Sequence, residues 1–279
     1  MKLKELYESV LDKLAKYAEK IDGDFLFANK GLKNLRGFPK EVSGDFSISG
    51  NYIKTLEGGP SKVGHSFSCA NNMLENLIGG PSDVIGSYDC RDNYIISLEG
   101  SPIDVGYNFV CDSNALKNLI GAPQEIGNNF VCDSNQLTSL EGAPKEVGGY
   151  FSCSNNQLTS LEGSPKKIQN NFNCYDNKLT SLEGGPKEVG GNFNCANNKL
   201  KNLKDIHRHI KFIGNRADFS NNPINSHVVG LLLIEGLTEV YLGNEQVKDI
   251  INKHLHKGRD VLACIDELED AGYSEFAKI

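Results

Sequence analysis

The stretch Val189-Gly190-Gly191-Asn192-Phe193-Asn194-Cys195-Ala196-Asn197-Asn198-Lys199-Leu200-Lys201-Asn202-Leu203 decides the fold. Phe193, Asn194 and Cys195 alternate apolar, polar, apolar, as a strand does when one face is buried. Twenty-one residues earlier the same order recurs, and it recurs again at each further step. An aromatic column runs Phe25, Phe46, Phe67, Tyr88, Phe109, Phe130, Phe151, Phe172 and Phe193. Seven of the eight cysteines, from Cys69 to Cys195, and eight of the nine prolines, from Pro39 to Pro186, keep that 21-residue step. Two leucine-type columns, Leu32 to Leu200 and Leu35 to Leu203, run beside them, with Val or Ile from Val42 to Val189 and Asn from Asn51 to Asn198. Registers held in step over so long a stretch are the signature of a stacked array in which each turn touches its neighbours.

The unit resembles the leucine-rich-repeat pattern L-x-x-L-x-L-x-x-N/C-x-L, with Phe and Cys in the two strand positions. The phrase LTSLEGxPKEVGGxFxC, clearest at 137–153 and 179–195, resembles repeats of bacterial and bacteriophage leucine-rich-repeat proteins. The short unit is also similar to the bacterial effector subclass with one proline-containing extended convex segment per turn. Here the Val and Phe columns stand four residues apart instead of three, one residue more than that pattern. The resemblance covers roughly residues 23–244 and implies a leucine-rich-repeat solenoid. Such a fold is a curved parallel β-sheet of about eleven strands with an extended convex side and helical caps. The sheet would be about 50 Å wide.

The columns make physical sense in that fold. Phe and the small, soft Cys fill the inside, and Asn serves backbone groups where each strand turns away. Glycine before proline sets a non-helical corner. The domain expectation is a helical cap over 1–22, the repeat array over 23–224, and a last strand with a second cap over 225–279. Leu3, Leu6, Tyr7, Val10, Leu11 and Leu14 follow helical spacing in the first cap. Residues 217–219 and 240–242 read as further strands with a convex helix over 226–235 between them. Val247 to Leu255 reads as a helix, and Asp260 caps another that Gly272 ends.

Composition excludes several classes. With 29 basic and 36 acidic residues the net charge is −7, and the pI is near 5.4, which argues against nucleic acid as a partner. The longest apolar run, Val228 to Ile234, stops at Glu235, so no membrane span is expected. The first twenty residues lack the hydrophobic region of a signal peptide, and the expected location is cytoplasmic.

Catalytic and metal chemistry finds little support. No cysteine pair has zinc-site spacing, and side chains stacked in parallel point the wrong way for disulfides, so buried reduced thiols are expected. Cys264-Ile265-Asp266 resembles the catalytic motif of bacterial effector ubiquitin ligases, but too little chain follows the repeats for that domain. His254 and His256 are two apart on a helix and face different ways, while His207 and His209 share a face only if extended. No cofactor and no metal are expected.

What varies while the core columns hold is the set of exposed strand positions expected on the concave face. The candidate partner-binding residues there are Asp89, Arg91, Asp92, Val110, Asp112, Val131, Asp133, Tyr150, Tyr175 and Asp176. Val110 beside Val131, flanked by Asp112 and Asp133 with tyrosines further on, forms an acidic strip with apolar anchors that suits a basic protein surface. Arg91 is placed to grip a carboxylate or phosphate. The expected function is a non-enzymatic scaffold, monomeric or a small homo-oligomer, that binds another protein. Its resemblance to phage-borne proteins implies sequestration or inhibition of a host protein, a phage-defence component being one case. Two alternatives are a sponge for a small ligand such as a nucleotide signal, and a structural or assembly role.

Overall fold

In the computed structural model, residues 19–279 are described; the amphipathic segment expected to cap the N-terminus lies outside them. The chain divides into two compact units, one running to Gln136 with Gly142–Pro144, the other comprising Leu137–Glu141 and Lys145–Ile279. Each is a stack of turns, 21 residues long as far as Leu203, carrying two parallel ladders of two- or three-residue strands.

In the first unit one ladder holds β1 (Lys20–Ile21), β3 (Glu41–Val42), β5 (Lys62–Val63), β7 (Asp83–Val84), β9 (Asp104–Val105) and β11 (Glu125–Ile126). The other holds β2 (Phe25–Leu26), β4 (Phe46–Ser47), β6 (Phe67–Ser68), β8 (Tyr88–Asp89), β10 (Phe109–Val110) and β12 (Phe130–Val131). In the second unit β13 (Glu146–Val147), β15 (Lys167–Ile168), β17 (Glu188–Val189) and β19 (Phe212–Ile213) continue the Val pattern. There the Phe pattern is carried by β14 (Phe151–Ser152), β16 (Phe172–Asn173), β18 (Phe193–Asn194), β20 (Arg216–Asp218) and β21 (Glu239–Tyr241). Among the described residues the Phe-type strands number eleven over both units, in keeping with the leucine-rich-repeat solenoid that the resemblance implied.

Sequence register is spatial register: Val42 pairs with Val63, Phe46 with Phe67, Phe109 with Phe130, and Phe172 with Phe193. Phe46 and Phe67 stack with ring centroids 5.5 Å apart, and Phe109 and Phe130 at 5.4 Å. Every cysteine of the column is fully buried and reduced. Burial pushes the thiols of Cys69, Cys90, Cys111 and Cys174 well above their ordinary range, because a thiolate there would have no solvent.

The extended side of each turn forms a ladder of its own, which the periodicity did not reveal. The extra residue between the Val and Phe columns belongs to the link between ladders: in Ser43-Gly44-Asp45, the Asp45 carboxylate accepts the N–H of Ser66 on the next turn at 2.9 Å. A second device is the asparagine column. Asn72 accepts the Ile53 N–H through Oδ1 at 3.0 Å and donates through Nδ2 to the carbonyls of Ile48 and Cys69, both at 3.0 Å. One buried amide therefore satisfies strand-end groups on two consecutive turns. Glycine is required before the proline corner: Gly100 has φ +90°, and a Cβ there would come within 2.5 Å of Ile78 N.

Beyond Leu203 the period lengthens. A single turn of helix, α1 (Ile206–His209), enters, so His207 and His209 do not share the face an extended chain would give them. Segment 226–235, expected as a helix, contains only a five-residue 3₁₀ turn, Val229–Leu233. It is too short for an α ladder, since Ile234 returns to extended geometry and Glu235 bridges to Phe212. The last two helices follow expectation as α2 (Glu245–His256) and α3 (Val261–Asp270). Asp260 caps α3 by accepting the Ala263 N–H at 3.0 Å, and Gly272 at φ +84° follows its end. Arg259 donates to the carbonyls of Leu232, Ile234 and Leu237, tying the two helices to the 3₁₀ turn. His254 is buried against Glu267 at 2.9 Å, with Lys253 on the same carboxylate, so it is committed to packing the cap.

Candidate functional site

The Phe-type strands leave alternate side chains on the side away from the core. In the first unit these form the column Ser47, Ser68, Asp89, Val110, Val131, each in parallel register with the next. Val110 and Val131 are therefore adjacent, and Asp89 stands beside Val110. Two residues further along the chain the column reads Ser49, Ala70, Arg91, Asp112, Asp133. Asp89, Val110, Asp112, Val131 and Asp133 are half-buried, and Arg91 and Asp92 are exposed.

Arg91 is turned on its own strand. Its guanidinium lies 3.0 Å from the Asp89 carboxylate, which also accepts the Arg91 backbone N–H at 3.2 Å. Its reach for a foreign anion is thereby reduced. Burial raises the pKa of Asp89, with the Arg91 hydrogen bonds and charge pulling the other way. Burial likewise raises Asp112, again opposed by the charge of Arg91. Of the charged candidates here, Asp89, Asp92, Asp112 and Asp133 are four carboxylates against the single guanidinium of Arg91, so the strip favours positive charge.

In the second unit Tyr150 is half-buried, while Tyr175 and Asp176 are exposed. Not every position of the expected face is accessible: Ala70, Ser152, Ser154 and Ala196 are buried. All are Ala or Ser, short enough to be screened by longer neighbours on adjacent rungs. Asp92 and Asp176 have a conformational reason to be there. Both adopt left-handed backbone, φ +53° and +55°, as do Asn71, Ser113, Ser134, Asn155 and Asn197 in the same column. Asn and Asp tolerate that region better than most residues.

A second feature of the first unit was not among the sequence candidates. The position after each core asparagine carries Tyr52, Met73 and Tyr94, exposed by 56%, 37% and 63%. They sit on consecutive rungs, because the Tyr52, Met73 and Tyr94 N–H groups donate to Leu32, Ile53 and Leu74 in step. Exposed Ile96 lies two residues beyond Tyr94. Down the chain the column reads Tyr, Met, Tyr, Ala, Gln, Gln, Lys, Lys. That switch from apolar to polar was visible in the sequence. A contiguous exposed apolar stripe is the usual mark of a protein-contact surface.

Among the described residues no group of three or more His, Cys, Asp or Glu side chains is arranged to hold a metal ion. No helix among them is long and apolar enough to cross a membrane. No protein-family model matches this sequence, and no curated protein matches it. Among solved structures, this chain is similar to YopM from Yersinia enterocolitica WA-314, with 16% identity and a TM-score of 0.47 over 85% of this chain and 68% of that one.

Proposed function

We propose that this protein is a non-enzymatic binding scaffold that holds a basic protein surface against the strand face of its first unit and thereby blocks that protein's other contacts. The observation that carries this reading is the strip in which Val110 and Val131 lie in register beside Asp89, Asp112 and Asp133. Burial already disfavours charge on Asp89 and Asp112. A Lys or Arg from a partner relieves that penalty, while the valines supply apolar contact. The neighbouring stripe of Tyr52, Met73 and Tyr94 adds the aromatic and Met content typical of interfaces. The resemblance of the repeat phrase to bacteriophage-borne proteins favours a bacterial host protein as the target, in the host cytoplasm, with defence components the first to examine.

The test is affinity capture from bacterial lysate followed by mass spectrometry, with the parent compared to Asp112→Asn combined with Asp133→Asn. A separate Tyr150→Ala, Tyr175→Ala variant probes the second unit. The expected result is a basic protein retained by the parent and lost from the first variant at unchanged melting temperature. Undiminished capture by that variant would remove the strip from the interface.

A further inference from the structure

A different surface, in the second unit, carries an inference that does not depend on the acidic strip. Glu188, Phe212 and Glu235 stand on three consecutive rungs: Glu188 pairs with Phe212, and Phe212 bridges to Glu235, both in parallel. Together they line a cavity of about 680 Å³, with His207, Lys211 and Leu233 as the remaining lining residues.

The aromatic ring is backed by bare main chain. A Cβ on Gly236 would come within 2.6 Å of the Phe212 ring and one on Gly214 within 3.3 Å, so side chains at those positions would displace it. Phe212 nevertheless remains 37% exposed, and Leu233 beside it 44%. The result is a ring held on one side by glycines and open to the cavity. Its ladder neighbours are both carboxylates, with backbones about 10 Å apart at two strand spacings.

The charge around the ring selects the occupant. Lys211 donates to the His207 carbonyl at 3.1 Å. Among the described residues no ion pair joins it to Glu188 or Glu235, and Glu188 has only a long contact with Lys167 at 3.9 Å. The His207 imidazole is held below its ordinary pKa by desolvation and by the charges of Arg208, Lys211 and His209, against Asp205, which favours its uncharged form. Two carboxylates against one committed ammonium repel an anion. A compact, strongly hydrated ammonium gains little from a flat ring, whereas a guanidinium stacks on aromatic faces and donates in its own plane to carboxylates.

We infer that this cavity receives a guanidinium group, stacked on the open side of Phe212 and donating to Glu188 and Glu235, with its aliphatic stem against Leu233. The group is either an arginine side chain of a partner protein or part of a free guanidino compound. The test is amide NMR on the full ¹⁵N-labelled chain, titrated with the pentapeptide Gly-Gly-Arg-Gly-Gly, with agmatine, and with the same pentapeptide carrying citrulline, the uncharged isostere. The Gly214 and Gly236 signals should shift with the guanidinium probes and stay in place with citrulline. Phe212→Leu and Glu235→Gln, each at an exposed side chain and checked by melting, should weaken the response at least fivefold. Tighter binding of the peptide than of agmatine assigns the guanidinium to a protein, and the reverse order assigns it to a small molecule. No shift at either glycine, an equal shift with citrulline, or undiminished binding by both variants would overturn the assignment.

Discussion

Tyr88 occupies one turn of a column that is otherwise phenylalanine, and its hydroxyl is buried with no hydrogen-bond partner. An orphaned buried hydroxyl costs about 1–3 kcal/mol in desolvation. Tyr88→Phe removes that penalty and leaves a void of about 10 Å³, worth roughly 0.2 kcal/mol. The net expectation is stabilisation by about 1–2 kcal/mol, which raises Tm by about 2–3 °C for a chain of this size. Gly80 supplies a second arm. A Cβ there would meet the Tyr88 hydroxyl at 3.0 Å, the Leu77 carbonyl at 3.0 Å and a Leu56 methyl at 2.9 Å. The equivalent position holds Ala122 on the turn of Phe130 and Ser101 on that of Phe109, where no hydroxyl intrudes. Gly80→Ala should therefore be destabilising alone and better tolerated by about 1 kcal/mol in the Tyr88→Phe background, a coupling measured by a double-mutant cycle of thermal melts. A fall in Tm for Tyr88→Phe would refute the reasoning, because it would mean the hydroxyl is satisfied in the folded protein.

Asn177 accepts the Leu158 N–H at 3.0 Å and donates to the Cys153 and Cys174 carbonyls at 3.1 and 3.2 Å. Asn177→Ala should destabilise by about 3 kcal/mol, since several buried backbone groups lose their partner together; a loss below about 1 kcal/mol in denaturant titration would contradict the ladder's role. Burial raises the Asp89 and Asp112 pKa values in the fold, so the unfolded chain releases these protons at lower pH than the folded one. Their contribution to stability is therefore lost as pH rises above the unfolded carboxylate range, and it returns on acidification. Asp112→Asn should flatten that part of the stability–pH profile and raise stability at neutral pH; an unchanged slope would remove the desolvation argument. The eight thiols are all buried, so a thiol reagent should react slowly with the native protein and with all eight in denaturant. Rapid native reaction of several thiols would place the column outside the core. Phe130→Ala should cost about 3–5 kcal/mol, measured by chemical denaturation, whereas a similar loss for Tyr175→Ala would move Tyr175 off the exposed face.

The candidate strip was legible in part. That Val110 adjoins Val131 followed from the 21-residue step, because in a parallel stack residues one period apart become register partners. The engagement of Arg91 with Asp89 was not legible, since it depends on side-chain reach rather than column identity. The Tyr52–Met73–Tyr94 stripe is written in the sequence, but it stands after the core Asn and outside the strand positions that flank Phe and Cys, so the strand alternation does not mark it as a face. Ser154 holds the same strand position as Arg91 and Asp112 yet is buried, because burial there depends on what stands beside the side chain and not on its column.

By itself the sequence determined the repeat, the inward Phe, Cys and Leu columns, the asparagine ladder and the helices after residue 244, because each is set by local period or by a neighbour one turn away. Only the tertiary structure decided the ladder on the extended side and the 3₁₀ turn at Val229–Leu233. It alone also set Arg259 on three carbonyls and Phe212 between two carboxylates over Gly214 and Gly236. These lie in the extended links of the turns or where the period breaks beyond Leu203. There, contacts join residues whose separation no column announces, and which groups meet is settled by the packing of whole elements.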